Sequence, residues 1–198
     1  MMFSKISGPR LYALPLLIML GACVSFGGKA PVSMLVLTSD NVVAAGAART
    51  AAVADALVIQ IPQVPRKLDN NRVPVQIDAS SIAYLKDAFW ADKPARLMQM
   101  LLVETVSAKS GNLVLNEVDA GGKATRYLSG SLLEFGIDAA TNEAVVVYDM
   151  VKIIRGSATE KRRFEARRPV NAIAPAPAGA ALNAAANDVA GQIADWAG

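Results

Sequence analysis

Few residues in this sequence could do chemistry. Among 198 residues there is one cysteine, Cys23, and no histidine. Without histidine there is no Ser/His/Asp triad, no Cys/His dyad and no imidazole zinc site. One cysteine makes no internal disulfide and no cysteine cluster for zinc or iron–sulfur. No G-x-x-x-x-G-K-[ST] loop is present to cradle phosphates. Carboxylates remain, and Glu134 and Asp149 fall on neighbouring predicted strands, but nothing in the pattern marks them as an acid–base pair. The expectation is a binding protein, not an enzyme, with no catalytic residue, cofactor or metal.

The position of Cys23 gives it a different use. Met1 to Arg10 carries Lys5 and Arg10 and no acid, and Leu11 to Leu20 is an apolar run of ten residues. Ten residues are half of the ~20 that a permanent membrane-spanning helix needs. A basic stretch before a short apolar one is the pattern of a secretory signal peptide. Leu20-Gly21-Ala22-Cys23 closes it and resembles the lipobox of bacterial lipoproteins. Small residues let the chain lie extended in the peptidase cleft. Cleavage between Ala22 and Cys23 leaves the cysteine as a lipidated N-terminus. Acyl chains contribute about 0.8 kcal/mol per buried CH₂, so two or three hold a domain firmly to a leaflet. The residue after Cys23 is Val24, not the aspartate of the inner-membrane sorting rule, which favours the outer membrane.

The same cleavage settles the charge. The chain counts 20 basic against 17 acidic residues and a pI near 9.1. Losing Lys5 and Arg10 leaves 18 against 17, so nucleic acid is not an expected partner. Seven bases still crowd into residues 152–168 (Lys152, Arg155, Lys161, Arg162, Arg163, Arg167, Arg168) beside only Glu160 and Glu165. That stretch is either a solvated strand face or a surface for anionic head groups or an acidic partner.

The elements that must carry these residues follow from periodicity. Three regions are expected: a signal peptide over 1–22, a lipidated flexible tether over 23–31, and one domain over 32–198. Residues 32–38 and 56–61 read as strands, with Ala-rich loop between them. Residues 66–72 read as a turn, and 73–77 as an edge strand because of Pro74. Ser80 or Ser81 is expected to cap a short helix toward Trp90. Asp92-Lys93-Pro94 opens a helix to about Lys109, with Asp92 as N-cap and Leu97, Leu101, Leu102 and Val106 as its apolar stripe. Strands are expected over 113–118, 125–137, 143–155 and 159–168. Tyr127, Leu133, Phe135 and Ile137 should share a face of one, and Val145, Val147, Val151 and Ile153 a face of the next. A last helix runs from Ala180 to Trp196 with Leu182, Ala186, Val189 and Ile193 in its seam. The fold class is α+β, with helices packed on a mostly antiparallel or mixed sheet.

Several stretches, in order, resemble the ABC-type transport auxiliary lipoprotein family, which includes paraquat-inducible protein C. They are the lipobox cysteine, Leu68-Asp69 with Arg72, and Tyr84, Trp90 and Pro94 before a helix. Tyr127-Leu128-Ser129-Gly130-Ser131-Leu132-Leu133-Glu134-Phe135 follows, and then Ala181-Leu182-Asn183 and Asp195-Trp196. Val73 stands where the family has Ile, and Thr125-Arg126 where it has Ala-Asp. The resemblance implies a periplasm-facing, non-ATPase accessory to an ABC permease and ATPase with a mammalian-cell-entry domain partner, moving phospholipid or other hydrophobic cargo. Leu68, Asp69, Arg72 and Trp90 are the candidates to face a partner or lipid, although Trp90 suits the core better and Asp69 suits a turn. The alternative is a structural or regulatory outer-membrane lipoprotein. It would be a ring-forming scaffold of several copies or an activator of cell-wall synthesis.

Overall fold

A computed structural model describes residues 33–198 of the chain. The predicted signal peptide, the cleavage pair Ala22 and Cys23, and the predicted tether lie outside the described residues. The elements are β1 (Leu57–Ile59), β2 (Arg72–Gln76), β3 (Ile82–Phe89), α1 (Pro94–Ser110), β4 (Val114–Leu115), α2 (Glu117–Ala120), β5 (Arg126–Asp138), β6 (Glu143–Ile154), β7 (Glu160–Pro169) and α3 (Pro175–Ala197). They form an α+β domain with one mixed seven-stranded sheet.

Two tight turns set the centre of the sheet. Asp138 accepts the backbone N–H of Ala140 (2.9 Å), and Asn142 takes the left-handed conformation that Asn tolerates, so β5 folds back on β6. Gly156 at φ 82° turns β6 into β7. The result is an antiparallel β5–β6–β7 meander. Along the other edge of β5 the chain runs parallel, once, in pieces: β1 pairs with Leu128 and its neighbours, Gln63 bridges Ser131, and β2 pairs with Ile137 and Asp138. Between these pieces Pro62 and Pro65 interrupt pairing, and a 3₁₀ turn at Arg66–Leu68 loops out.

α1 and α3 lie side by side over one sheet face. Their stripes (Leu97, Leu101, Leu102 and Val106; Leu182, Ala186, Val189 and Ile193) meet Leu57, Ile59, Leu128, Leu132, Phe135, Val146, Tyr148 and Met150. Each large side chain buried this way contributes about 1.5–3 kcal/mol. α1 ends where Gly111 adopts the left-handed conformation (φ 70°). On the opposite face, among the described residues, an apolar cluster forms beside β1, where Val58 packs with Ala120 and Ala124.

The structure corrects several sequence expectations. Residues 33–38 form no strand, and Leu35 alone bridges Trp90, because farther along the backbone bonds to side chains instead. β2 is interior, between β3 and β5, not an edge. It tolerates Pro74 because only Val75 and Gln76 pair with β5. The expected helix before Trp90 is strand β3. Asp78 accepts the backbone N–H and hydroxyl of Ser80, making a hairpin turn there instead of a cap. Lys93, not Asp92, sits at the N-cap of α1, and Asp92 pairs with Arg96 (3.3 Å). The 113–118 strand shrinks to β4, because Asn116 caps α2 through the N–H of Asp119 (2.9 Å). α3 begins earlier than read, with Pro175 in its first turn.

The face assignments of β5 and β6 also change. The register skips between Leu132 and Glu134, so Leu133 is an unpaired bulge residue. One extra residue swaps parity, and Leu128, Leu132, Phe135 and Ile137 are the core residues. Tyr127 lies on the other face. Val145, Val147, Val151 and Ile153 do share a face, but Ala144, Val146, Tyr148 and Met150 are the side chains beneath the helices.

Candidate functional site: the open sheet face

The sheet face turned away from α1 and α3 is a continuous surface across β3, β2, β5, β6 and β7. Alternation places Tyr84, Arg72, Pro74, Gln76, Glu134, Gly136, Val145, Val147, Asp149 and Arg163 on it. It holds a groove of about 580 Å³ where the broken parallel run rejoins β5. Pro74, Gly136 and Val145 line it, with Lys67, Gln76, Asp78, Glu134, Asp138 and Arg167 supplying polar groups. Gly136 is required there, since a Cβ would lie 2.5 Å from the Pro74 carbonyl oxygen. The β2–β5 approach thus depends on that glycine.

Ion pairs flank the groove. Lys67 bonds to Glu134 at 2.5 Å. Arg167 donates to Glu165 (2.8 Å) and Glu143 (3.4 Å) and lies 3.8 Å from Asp138. The N–H and hydroxyl of Ser80 hold Asp78 below the usual carboxylate range. Farther along, Arg163 bonds to both carboxylate oxygens of Asp149 (2.6 and 3.0 Å), and Lys161 adds a third contact at 3.1 Å. Arg163 is the main reason that Asp149 titrates at about 2 instead of 3.8. Glu134 and Asp149 therefore share a face but each is engaged by a cation. Asp149, lowered in this way, is far from the near-neutral range that suits a general acid or base. Among the described residues no group of three acidic or cysteine side chains is placed to hold a metal.

The sequence-derived candidates divide. Leu68 and Trp90 are fully buried in the core, with Trp90 against Phe135 at 5.1 Å between ring centroids, so neither faces a partner or lipid. Asp69 is exposed and paired with Lys93 (2.7 Å). Arg72 is on the open face, stacked 4.3 Å over the Tyr84 ring. The basic cluster dissolves on folding. Lys152 pairs with Glu160, Lys161 and Arg163 with Asp149, Arg167 with Glu165 and Arg168 with Asp188. Arg155 and Arg162 lie over the rings of Tyr127 and Phe164. Five of seven bases thus meet acids within the domain.

Sequence reasoning missed Lys67, Gln76, Asp78 and Gly136 as a group, since they come together only through the broken parallel run. The Tyr127–Phe135 motif held part of the signal. Leu128, Leu132 and Phe135 are its core residues and Glu134 its groove residue. Gly130 has no room for a side chain, because a Cβ would lie 2.0 Å from the Asp149 carbonyl oxygen.

Comparison with solved structures places this fold. A crystal structure of an uncharacterised protein superposes with a TM-score of 0.63 at 16% identity, covering 72% of this chain and 92% of the other. Protein XCC0632 from Xanthomonas campestris, assigned to the DUF330 family, superposes with a TM-score of 0.61 at 18% identity, covering 71% and 82%. PelC from Paraburkholderia phytofirmans, described as a dodecamer, gives 0.37 at 12% identity, covering 74% and 91%. Among curated protein sequences none matches the chain. The pattern of the ABC-type transport auxiliary lipoprotein component does match, over residues 37–194, from the segment before β1 nearly to the end of α3. With a match spanning nearly all of the folded domain, the chain belongs to the ABC-type transport auxiliary lipoprotein family.

Proposed function

We propose that this protein is anchored by lipid at Cys23 after removal of residues 1–22 and works on the periplasmic side of the envelope, at the outer membrane. There it is a non-catalytic accessory of an ABC transporter whose partner carries a mammalian-cell-entry domain, with phospholipid or another hydrophobic molecule as cargo. Family membership supports the auxiliary role. The observation that carries the binding role is the open sheet face. It offers a groove that mixes apolar and polar lining, with ion pairs at its sides. A groove of this kind suits a partner's segment, with apolar contact on Pro74 and Val145 and polar contacts at Lys67, Gln76 and Arg167.

A photo-crosslinking residue at Gln76, in the full-length protein expressed in its own envelope, tests this. Capture of the mammalian-cell-entry domain protein or the permease is expected. The same residue at Met100, on the helix layer, should capture neither. Equal capture from both positions, or from neither, would reject the groove as the docking site. Separately, Cys23→Ala should move the protein from the membrane to the soluble fraction. Retention in the membrane would reject the lipid anchor.

A further inference from the structure

The segment leading into the domain is fastened unusually well for a stretch without secondary structure. Asn183 of α3 accepts the N–H of Thr38 (2.8 Å). Asn187, one turn on, accepts the N–H of Asp40 (2.9 Å) and donates to the carbonyl of Thr38 (2.8 Å). From α1, Thr105 shares a hydroxyl contact with Ser39 (2.9 Å), and Glu104 accepts the N–H of Val43 (2.7 Å). Asn187 and Thr105 are buried polar side chains, and these bonds with an extended backbone satisfy them. At the front of the strap the Leu35 N–H donates to the Phe89 carbonyl (2.7 Å), and the Ala91 N–H donates to the Leu35 carbonyl (2.8 Å). Gly179 of α3 lets Leu35 seat, since a Cβ there would lie 2.6 Å from its methyl carbon. The place where the chain joins the domain is therefore fixed.

That place is apolar on its outer side. Leu35 and Trp90 point inward as a bridged pair, so Met34, Val36 and Phe89 point outward by alternation. They are 58%, 55% and 36% exposed. Arg72 pairs across from Phe89 and stacks on Tyr84, an amphipathic arrangement suited to the level of lipid head groups. Ser33 lies ten positions after Cys23, and ten residues reach at most about 35 Å. A lipid at Cys23 holds this patch within that distance of the leaflet. The short leash makes even weak apolar contact with the bilayer effectively intramolecular.

We propose that the Met34–Val36–Phe89 patch rests on the leaflet that holds the Cys23 lipid, and so fixes which way the open sheet face looks. The inference rests on the lipid-anchor reading, and the test supplies the anchor chemically so that the two fail separately. The mature chain, from Cys23 to Gly198, is coupled through its thiol to maleimide lipid in phosphatidylethanolamine–phosphatidylglycerol vesicles carrying a nitroxide lipid. Methionine methyl signals are then read by NMR. Met34 and Met100 are equally exposed at 58%, but Met100 lies on α1 in the helix layer. The Met34 methyl should broaden several times more than that of Met100. Val36→Glu should abolish the difference without moving the melting temperature. Equal broadening of the two methyls overturns the proposal. So does a Met34 signal that shifts with protein concentration without vesicles, which would assign the patch to a second copy of the chain. Solubility of the Cys23→Ala variant in cells reports on acylation alone.

Discussion

The two faces of one sheet solve the same burial problem in opposite ways. Under α1 and α3, alternate residues of β5 and β6 pack into one large apolar cluster, and the layer is sealed mainly by that packing. On the open face the intervening residues are Val145, Val147, Val151 and Ile153. They are covered by long charged side chains that reach across strands and pair with one another. β6 is thus apolar on both faces, yet only one face is core. β7 supplies the difference, placing Phe164 toward the helices and Lys161, Arg163, Glu165 and Arg167 toward solvent. A strand's own composition does not tell which side is inside, and its neighbour's alternation does. The covered face is committed to stability, while the open face keeps apolar surface near enough to solvent for a partner to use.

That contrast is broken most directly by truncation. Leu102→Ala, on α1 in the sealed layer, should cost about 2–5 kcal/mol, seen as a large drop in denaturation midpoint. Val151→Ala, on the open face, should stay within about 1 kcal/mol. Similar losses at both positions would mean that the open face is as tightly packed as the core. Next in size is Gly136→Ala. Its Cβ would press on the Pro74 carbonyl, and parting β2 from β5 should cost about 1–3 kcal/mol. Gln76 crosslinking should fall with it, because the same approach shapes the groove. Unchanged stability would show that the two strands can separate freely there.

The Asp149 cluster sharpens the comparison with a pH signature. Its folded carboxyl titrates near 2 and an unpaired one near 3.8. The folded value is the depressed one, so the stabilisation is complete above about pH 4 and is lost as pH falls through about 2. Asp149→Asn should therefore cost about 1–2 kcal/mol at neutral pH, and the stability curves of the two proteins should converge on acidification. Parallel curves down to pH 2 would show that the carboxylate's charge contributes nothing and that only its hydrogen bonds matter.

How far the sequence could be read follows the same division. The meander β5–β6–β7, α1 and the seam of α3 were legible, because each carries a long periodic stripe with turn residues at its ends. β3 was misread because Ser80 and Ser81 suit a helix cap as well as a turn, and only pairing with β2 decides between them. The faces of β5 were misassigned because a one-residue bulge at Leu133 leaves no compositional trace yet inverts everything before it. The groove was not legible at all. Lys67 and Glu134 are far apart in the chain and meet only because β1, Gln63 and β2 act as one interrupted strand beside β5. The basic stretch was left open between a solvated face and a binding surface, because partners such as Asp149 and Asp188 lie outside it in sequence.

The smallest expected effect concerns the two polar atoms that the sealed face leaves alone. The Trp90 indole N–H and the Tyr148 hydroxyl are buried without a hydrogen-bond partner among the described residues. Burial pushes the Tyr148 phenol well above its ordinary value, so it is neutral at physiological pH. An unpartnered buried hydroxyl has lost its water and gained nothing, a penalty of about 1–3 kcal/mol. Tyr148→Phe removes that oxygen and keeps the ring, whose contacts with the core are unchanged. The variant should be as stable as the natural protein or slightly more so, with a melting temperature equal or higher. Destabilisation by more than about 1 kcal/mol would mean that the hydroxyl has a partner, such as a buried water. The sealed face would then be held by a polar bond as well as by packing, and the contrast between the two faces would narrow.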